Sequence, residues 1–262
     1  MLLMKISVSI ASRTAVMAAL LFSFAPATTL AQAAKVVFQS SENKTSLLEL
    51  YTSEGCSSCP PAEAWLSRQK DTDGLWKDFV PVAFHVDYWD DLGWRDRWAT
   101  RRFSDRQRAY AQAWGSGNIY TPEFILNGRE WRGWTGRKPV TRSETKVGVL
   151  TASLVESNRW QVSFTPAVSG GSYQVHAAVL ACGLSSDVKA GENSGRRLTH
   201  DFVVLTLVNE RLEQRDKMFQ GAFTVAPNRK PSGGRPALSV WVTRTGQLES
   251  LQATGGWWPP AN

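Results

Sequence analysis

The run Leu47-Leu48-Glu49-Leu50-Tyr51-Thr52-Ser53-Glu54-Gly55-Cys56-Ser57-Ser58-Cys59-Pro60-Pro61 decides how this chain is read. Leu47 to Thr52 is an apolar run with one acid in it, the pattern of a strand buried on both faces of a mostly parallel sheet. A short polar loop follows, and then two cysteines at the start of a helix. Pro60 and Pro61 fall in the first helical turn, where missing N–H groups cost least. A thiol at a helix N-terminus sits where unpaired backbone N–H groups and the helix dipole favour negative charge, so its pKa falls and the thiolate is populated near neutral pH. Two intervening residues let the second thiol reach the first and resolve a mixed disulfide. The stretch is therefore read as a dithiol redox site, with a structural disulfide clip and half of a zinc site as the alternatives. Zinc normally takes four ligands, and Cys182, His85, His176 and His200 are scattered along the sequence; no metal is assigned.

Working outward, residues 1–33 carry Lys5 and Arg13 but no acid, then an apolar stretch from Ala15 to Ala25 and the small-x-small site Ala31-Gln32-Ala33. That is the pattern of a secretory signal peptide. Its apolar core is shorter than the roughly 20 residues that cross a bilayer, so no stable membrane span is expected after cleavage. Export would place the cysteines in an oxidising space, periplasmic or extracellular. The formal charge is +7, and without Lys5 and Arg13 it is +5. So mild a balance, with no Lys-rich tail, argues against a nucleic-acid partner. Of the 12 tryptophans, eight lie between Trp65 and Trp134, which implies large buried rings or an aromatic-lined cleft in the N-terminal half.

Phe79 to Asp87 reads as a second buried strand, and a helix between two such strands is a βαβ unit. His85 and Asp87 leave the end of that strand, the edge where α/β sheets place ligands; alternation sets them on one face. His85 reads equally as a proton carrier and as a hydrogen-bonded core histidine, and Asp87 as a cap for the loop that follows. That loop, Tyr88 to Trp94, is too aromatic to be a passive linker. Ser104 with Gln107 three residues on reads as a capping box for a helix ending at Gly115. Six arginines between Arg95 and Arg108 read as a solvated helix face. Thr121 to Gly128 is a strand ending in an Asn-Gly hairpin turn.

Beyond residue 149 the period changes. Trp160 to Phe164 and Tyr173 to Ala177 alternate strictly around Gly170-Gly171, the pattern of a β-hairpin. Further strands are expected at Phe202–Val208, Met218–Val225, Ala237–Thr243 and Leu248–Ala253, with loops at Lys189–Arg197 and Asn228–Arg235. Such short strands suggest a β-sandwich. Cys182 reads as a buried free thiol.

This order of elements resembles the thioredoxin superfamily over roughly residues 44–148, and Tyr51-Thr52 before Gly55-Cys56 resembles its glutaredoxin branch. Four segments together, Cys56-Ser57-Ser58-Cys59-Pro60-Pro61, His85-Val86-Asp87-Tyr88-Trp89, Arg106-Gln107-Arg108-Ala109-Tyr110 and Tyr120-Thr121-Pro122, resemble the bacterial secreted proteins of domain-of-unknown-function family 1223. That likeness extends to Gly191–His200. The resemblance implies Cys56 as attacking thiol, Cys59 as resolving thiol, and Pro122 as a cis-proline facing them, with the Thr121 backbone free to pair with substrate. It sets Glu49 near the place of a buried acid that assists the second cysteine, although Glu49 lies one residue farther from Cys56 than in thioredoxins. An acid satisfied by a nearby Lys or Arg is the alternative. Tyr51, His85 and Asp87 would stand behind the pair.

The expected fold class is thus an α/β thioredoxin-like domain (34–148) followed by an all-β sandwich-like domain (149–262), after a signal peptide (1–33). The expected function is thiol–disulfide exchange with protein or small-molecule thiols and disulfides, without a cofactor. A thioredoxin-fold binding module with a static bridge is the competing reading. Copper handling is a third, since thiolates suit Cu(I), but no Met- or His-rich tract accompanies the motif.

Overall fold

In the computed structural model, residues 36–225 and 234–258 are described. The signal-peptide stretch 1–33 and most of the expected loop from Asn228 lie outside them. Chain order runs β1 (Val37–Gln39), β2 (Ser46–Thr52), α1 (Pro60–Arg68), β3 (Phe79–His85), α2 (Arg101–Ala113), β4 (Glu123–Leu126) and β5 (Arg129–Glu130). Then come β6 (Gly148–Leu154), β7 (Arg159–Pro166), β8 (Tyr173–Cys182), β9 (Leu184–Asp187), β10 (Arg197–His200) and β11 (Val203–Arg211). The last are β12 (Glu213–Arg215), β13 (Met218–Thr224), β14 (Arg235–Arg244) and β15 (Ser250–Trp257).

The apolar runs behave as their composition requires. Every residue of β2 and of β3 is buried, and the two strands are parallel, joined through α1 as a right-length crossover. Pro81 is tolerated inside β3. β4 pairs antiparallel with β2 on the other side, and Asn127 (φ 51°) with Gly128 (φ 86°) turns the chain into β5 as the Asn-Gly pair demands.

The expected fold class requires correction. Two α-helices, of 9 and 13 residues, stand among fifteen strands, so the described chain is mostly β and not an α/β thioredoxin-like domain followed by a separate all-β one. One eight-stranded sheet, in the order β15-β14-β8-β11-β3-β2-β4-β5, takes strands from both sides of residue 149. The physical reason lies at the edge of β3. A fully buried strand cannot leave a row of open N–H and C=O groups in an apolar interior, and β11 covers that edge, with Val203 opposite Ala83. A five-stranded sheet, β1-β6-β7-β13-β12, packs on the β8–β14 part of the large sheet, and Trp160, Phe164, Phe219, Tyr173 and Val240 meet between them. A second apolar cluster around Leu47, Trp65, Phe84, Phe124 and Trp241 lies against α1 and α2. Each such large side chain contributes roughly 1.5–3 kcal/mol on burial. Residues Ala34–Asn262 form one compact unit.

Three local expectations also change. The β7–β8 pair is not a hairpin: β7 pairs with β6 and β13, whereas β8 pairs with β11 and β14. Gly170 and Gly171, both at φ near 100°, carry the chain from one sheet to the other, and Phe164 meets Tyr173 edge-on across the core at 5.1 Å. Alternating apolar residues fit a sandwich layer as well as a hairpin, so the period alone cannot distinguish them. Ser104 does not cap α2, which begins at Arg101 after Thr100. Its hydroxyl instead donates to Asp87 Oδ1 (2.5 Å) and accepts the Asp87 N–H (3.1 Å). Finally, Arg106 leaves the solvated arginine face, its side chain only 9% exposed.

Candidate functional site

β2 ends at Thr52, and the loop that follows brings Cys56 and Cys59 to the start of α1. Cys59 occupies the N-cap, its carbonyl accepting the N–H groups of Ala62 (3.0 Å) and Glu63 (3.1 Å). Gly55 is there because the chain runs against Trp89; a Cβ at Gly55 would stand 3.0 Å from Trp89 Cβ. Across from the pair lies the cis peptide Thr121–Pro122. Cys56 Sγ is 3.2 Å from Ser58 Oγ and 3.8 Å from the Thr121 carbonyl oxygen, while Trp89 Nε1 donates to Thr121 Oγ1 at 2.8 Å.

The two sulphurs are chemically unequal. Hydrogen bonding from the Cys59 thiol lowers the Cys56 pKa, against burial and with help from Ser58, to about 6. Burial first, and then the neighbouring Cys56, push the Cys59 thiol well above its ordinary value. Both residues have 0% of their surface exposed. Part of the cover comes from far along the chain. In the loop between β9 and β10, Glu192 Oε2 accepts the Ser57 N–H (2.9 Å), and Asn193 Nδ2 donates to the carbonyls of Glu54 and Cys56, each at 2.9 Å. Gly191, with φ 72°, presses on Trp94, which itself donates to Glu54 Oε2 at 2.7 Å.

Beneath the dithiol lies a buried polar cluster. Thr52 Oγ1 donates to Glu63 Oε1 (2.5 Å), and Glu63 Oε2 meets His200 Nδ1 at 2.6 Å. His200 Nε2 faces Glu54 Oε1 at 3.2 Å. His85 Nδ1 meets Asp96 Oδ2 at 2.6 Å, and the rings of His85 and His200 stand 5.1 Å apart, edge to face. Burial opposes charge on His200, but Glu63 and Glu54 outweigh it and raise its pKa to about 10. Asp96 is likewise penalised by burial, yet His85 holds its carboxyl below the usual range.

Of the residues picked from the sequence, Cys56, Cys59, Thr121 and Pro122 come together. Glu49 does not join them: among the described residues it makes no hydrogen bond to either cysteine. It is instead gripped by Arg106 through Nε (2.9 Å) and Nη2 (3.1 Å), by Tyr110 Oη (2.5 Å) and by Tyr51 Oη (3.0 Å). Tyr51 therefore belongs to the Glu49 group and Asp87 to Ser104, while His85 sits in the buried cluster. His176 is a core histidine stacked on Trp241, and burial lowers its pKa to about 3. Cys182 is buried, accepts the Phe202 N–H, and is pushed by burial up to about 12. Glu63 and Asp96 have no assignment from the sequence, Asn193 appears there only within the Lys189–Arg197 loop and the Gly191–His200 likeness, and His200 only within that likeness and among the scattered histidines to which no metal is assigned. Glu63, one turn into the motif helix, carried a usable signal, because an acid there needs a partner if its face is buried. The contacts of Asn193 and His200 span 137 to 139 residues, and Asp96 meets His85 across 11 and the Glu54 N–H across 42, none of which leaves a periodic trace.

A groove of about 660 Å³ is lined by Trp114, Tyr120, Glu123, Arg129 and Arg132; Tyr120 and Glu123 flank Thr121–Pro122 in sequence, and neither cysteine lines it. Among the described residues no helix is long and apolar enough to cross a membrane. Two solved structures share the fold. Protein AGR_C_4864 from Agrobacterium tumefaciens is 23% identical, with a TM-score of 0.60 over 82% of this chain and 95% of that one. HBP35 of Porphyromonas gingivalis is 16% identical, with a TM-score of 0.55 over 83% and 76%. No curated protein matches. The family profile described as "Protein of unknown function (DUF1223)" matches residues 47–243, spanning the dithiol, the cis-proline and His200 together, and the chain belongs to that family.

Proposed function

We propose that this protein is an exported thiol–disulfide oxidoreductase, periplasmic or secreted, in which Cys56 attacks and Cys59 resolves. The observation that supports it is the inequality of the two sulphurs: one near a helix N-terminus and stabilised as thiolate, its neighbour held as thiol. The Cys56 thiolate attacks one sulphur of a substrate disulfide, forming the mixed disulfide and expelling the other sulphur as a thiolate that takes a proton from water. Cys59 then loses its proton and attacks Cys56 Sγ, the mixed bond breaks, and the second substrate sulphur leaves. The protein ends as the Cys56–Cys59 disulfide, and two electrons have passed to the substrate. Run backwards, the same steps oxidise a dithiol. The Thr121 carbonyl beside Cys56 and the groove lined by Tyr120 and Glu123 offer a place for the substrate's flanking chain.

The burial of both sulphurs favours a second reading, a static bridge in a binding protein. One experiment separates them. Cys59→Ser should trap mixed disulfides with small and protein thiols, while Cys56→Ser should not. Alkylation of Cys56 in the reduced, unsubstituted protein should also rise with pH as its thiolate forms, with a midpoint below the free value of about 8.5. Equal trapping by both variants and an unshifted midpoint would reject exchange chemistry.

A further inference from the structure

The buried cluster beneath the dithiol carries an inference of its own. We propose that Glu63, His85 and His200 form a binding site for one divalent transition-metal ion, zinc by ligand type.

Each of the three offers a ligand atom, and these atoms all lie within 4.8 Å of one another. Ligands of a tetrahedral zinc, at about 2.0–2.2 Å from the ion, sit roughly 3.3 Å apart. That spacing falls between the 2.6 Å Glu63–His200 contact and the 4.8 Å limit, so parting the first pair by about 0.7 Å and drawing the farthest atoms in by at most about 1.5 Å completes the set. His85 Nε2 makes no hydrogen bond although the residue is 1% exposed. Its partner nitrogen is fixed by Asp96, which leaves Nε2 as the atom able to ligate. At His200, Nδ1 faces Glu63, and Glu54 Oε1 stands 3.2 Å from Nε2 without forming a hydrogen bond to it. A carboxylate behind each imidazole is how metal-bound histidines are oriented and made more basic.

Glu54, Glu63 and Asp96 bring three carboxylates into a space closed to water, and among the described residues no lysine or arginine pairs with them. Two imidazoles cannot neutralise three carboxylates even when both are protonated, and buried uncompensated charge is costly. A dication with neutral imidazoles leaves the same single negative charge as two imidazolium ions, so the ion is favoured by the ligand geometry and by the unpaired His85 Nε2 and not by the charge count. Carboxylate with imidazole suits zinc, and the three side chains fill three of its four tetrahedral positions. His200 ends β10, so the ion would be enclosed as the β9–β10 ribbon docks, and binding energy would appear as stability.

The test uses the full chain carrying Cys56→Ser and Cys59→Ser, so that the dithiol cannot ligate. After chelation and a circular-dichroism check of folding, zinc is titrated by calorimetry and the loaded protein is studied by X-ray absorption. One ion per chain with an imidazole-bearing nitrogen and oxygen shell is expected. Asp96→Asn, which keeps the shape, should weaken binding about 10–100-fold, and His200→Gln further. No uptake by the folded protein, sulphur in the shell, or unchanged affinity in both variants would overturn the site.

Discussion

Glu49 has none of its surface exposed, and it survives there because two arginine nitrogens and two phenols surround it. Burial and the neighbouring carboxylate push the Tyr51 and Tyr110 hydroxyls well up, which keeps both as donors to it. Removing one partner of so enclosed a pair typically costs about 3–5 kcal/mol, whereas replacing both by groups of similar shape costs far less. Arg106→Met should therefore destabilise the protein by roughly that amount, and adding Glu49→Gln should restore part of it. Urea unfolding of the four proteins in the cycle measures this. If Glu49 served Cys59, Glu49→Gln would instead slow resolution of the mixed disulfide at unchanged stability; the geometry leads us to expect the reverse. The cysteines could be read from sequence because strand, loop and helix start are local signals. Glu63 with His200 could not, for 137 residues separate them and neither type is rare at surfaces.

Between elements, the covering of the dithiol depends on a few hydrogen bonds from an otherwise exposed loop. Asn193 is fully buried and supplies two of them, each worth about 1 kcal/mol. Asn193→Ala should raise the share of time the loop stands open, and with it the alkylation rate of Cys56, by roughly thirtyfold, the equivalent of the two bonds at about 1 kcal/mol each. Equal alkylation rates in the two proteins, followed by mass spectrometry, would show that Cys56 is reached by another path. The loop's position was legible from its Gly, Asn and charged residues, but its target was not, because hydrogen bonds to backbone carbonyls leave no periodic trace. The β7–β8 misreading has a related origin: two alternating strands announce which faces are apolar and not which strand lies alongside.

At the scale of the molecule, the early strands are held by late ones. Gln252 accepts the Thr45 N–H at 2.7 Å, its Nε2 donates to the Gly148 carbonyl at 2.7 Å and lies 3.1 Å from those of Ser41 and Asn43, and Tyr110 Oη lies 3.1 Å from the Leu248 carbonyl. Ser239 reaches the Pro81 carbonyl, and β11 closes the edge of β3. A fragment of residues 34–148 would lose all of these and expose buried backbone, so it should be unfolded or aggregated. Circular dichroism and sedimentation of the fragment decide the matter, and a monomer with a cooperative thermal transition would refute the expectation. The composition of each half was readable; their merging was not, since edge pairing between strands 120 residues apart depends on which edge is left open.

The cover over the cysteines has a consequence in time. Cys56 and Cys59 leave the ribosome some 140 residues ahead of His200 and the loop before it. At roughly 5–20 residues per second, that is an interval on the order of ten seconds. For that interval the two thiols travel as an open segment of a nascent chain, free to meet any oxidant or partner along the route. Only once the ribbon arrives are they covered, so access to the two thiols is governed first by the order of synthesis and afterwards by the folded shape.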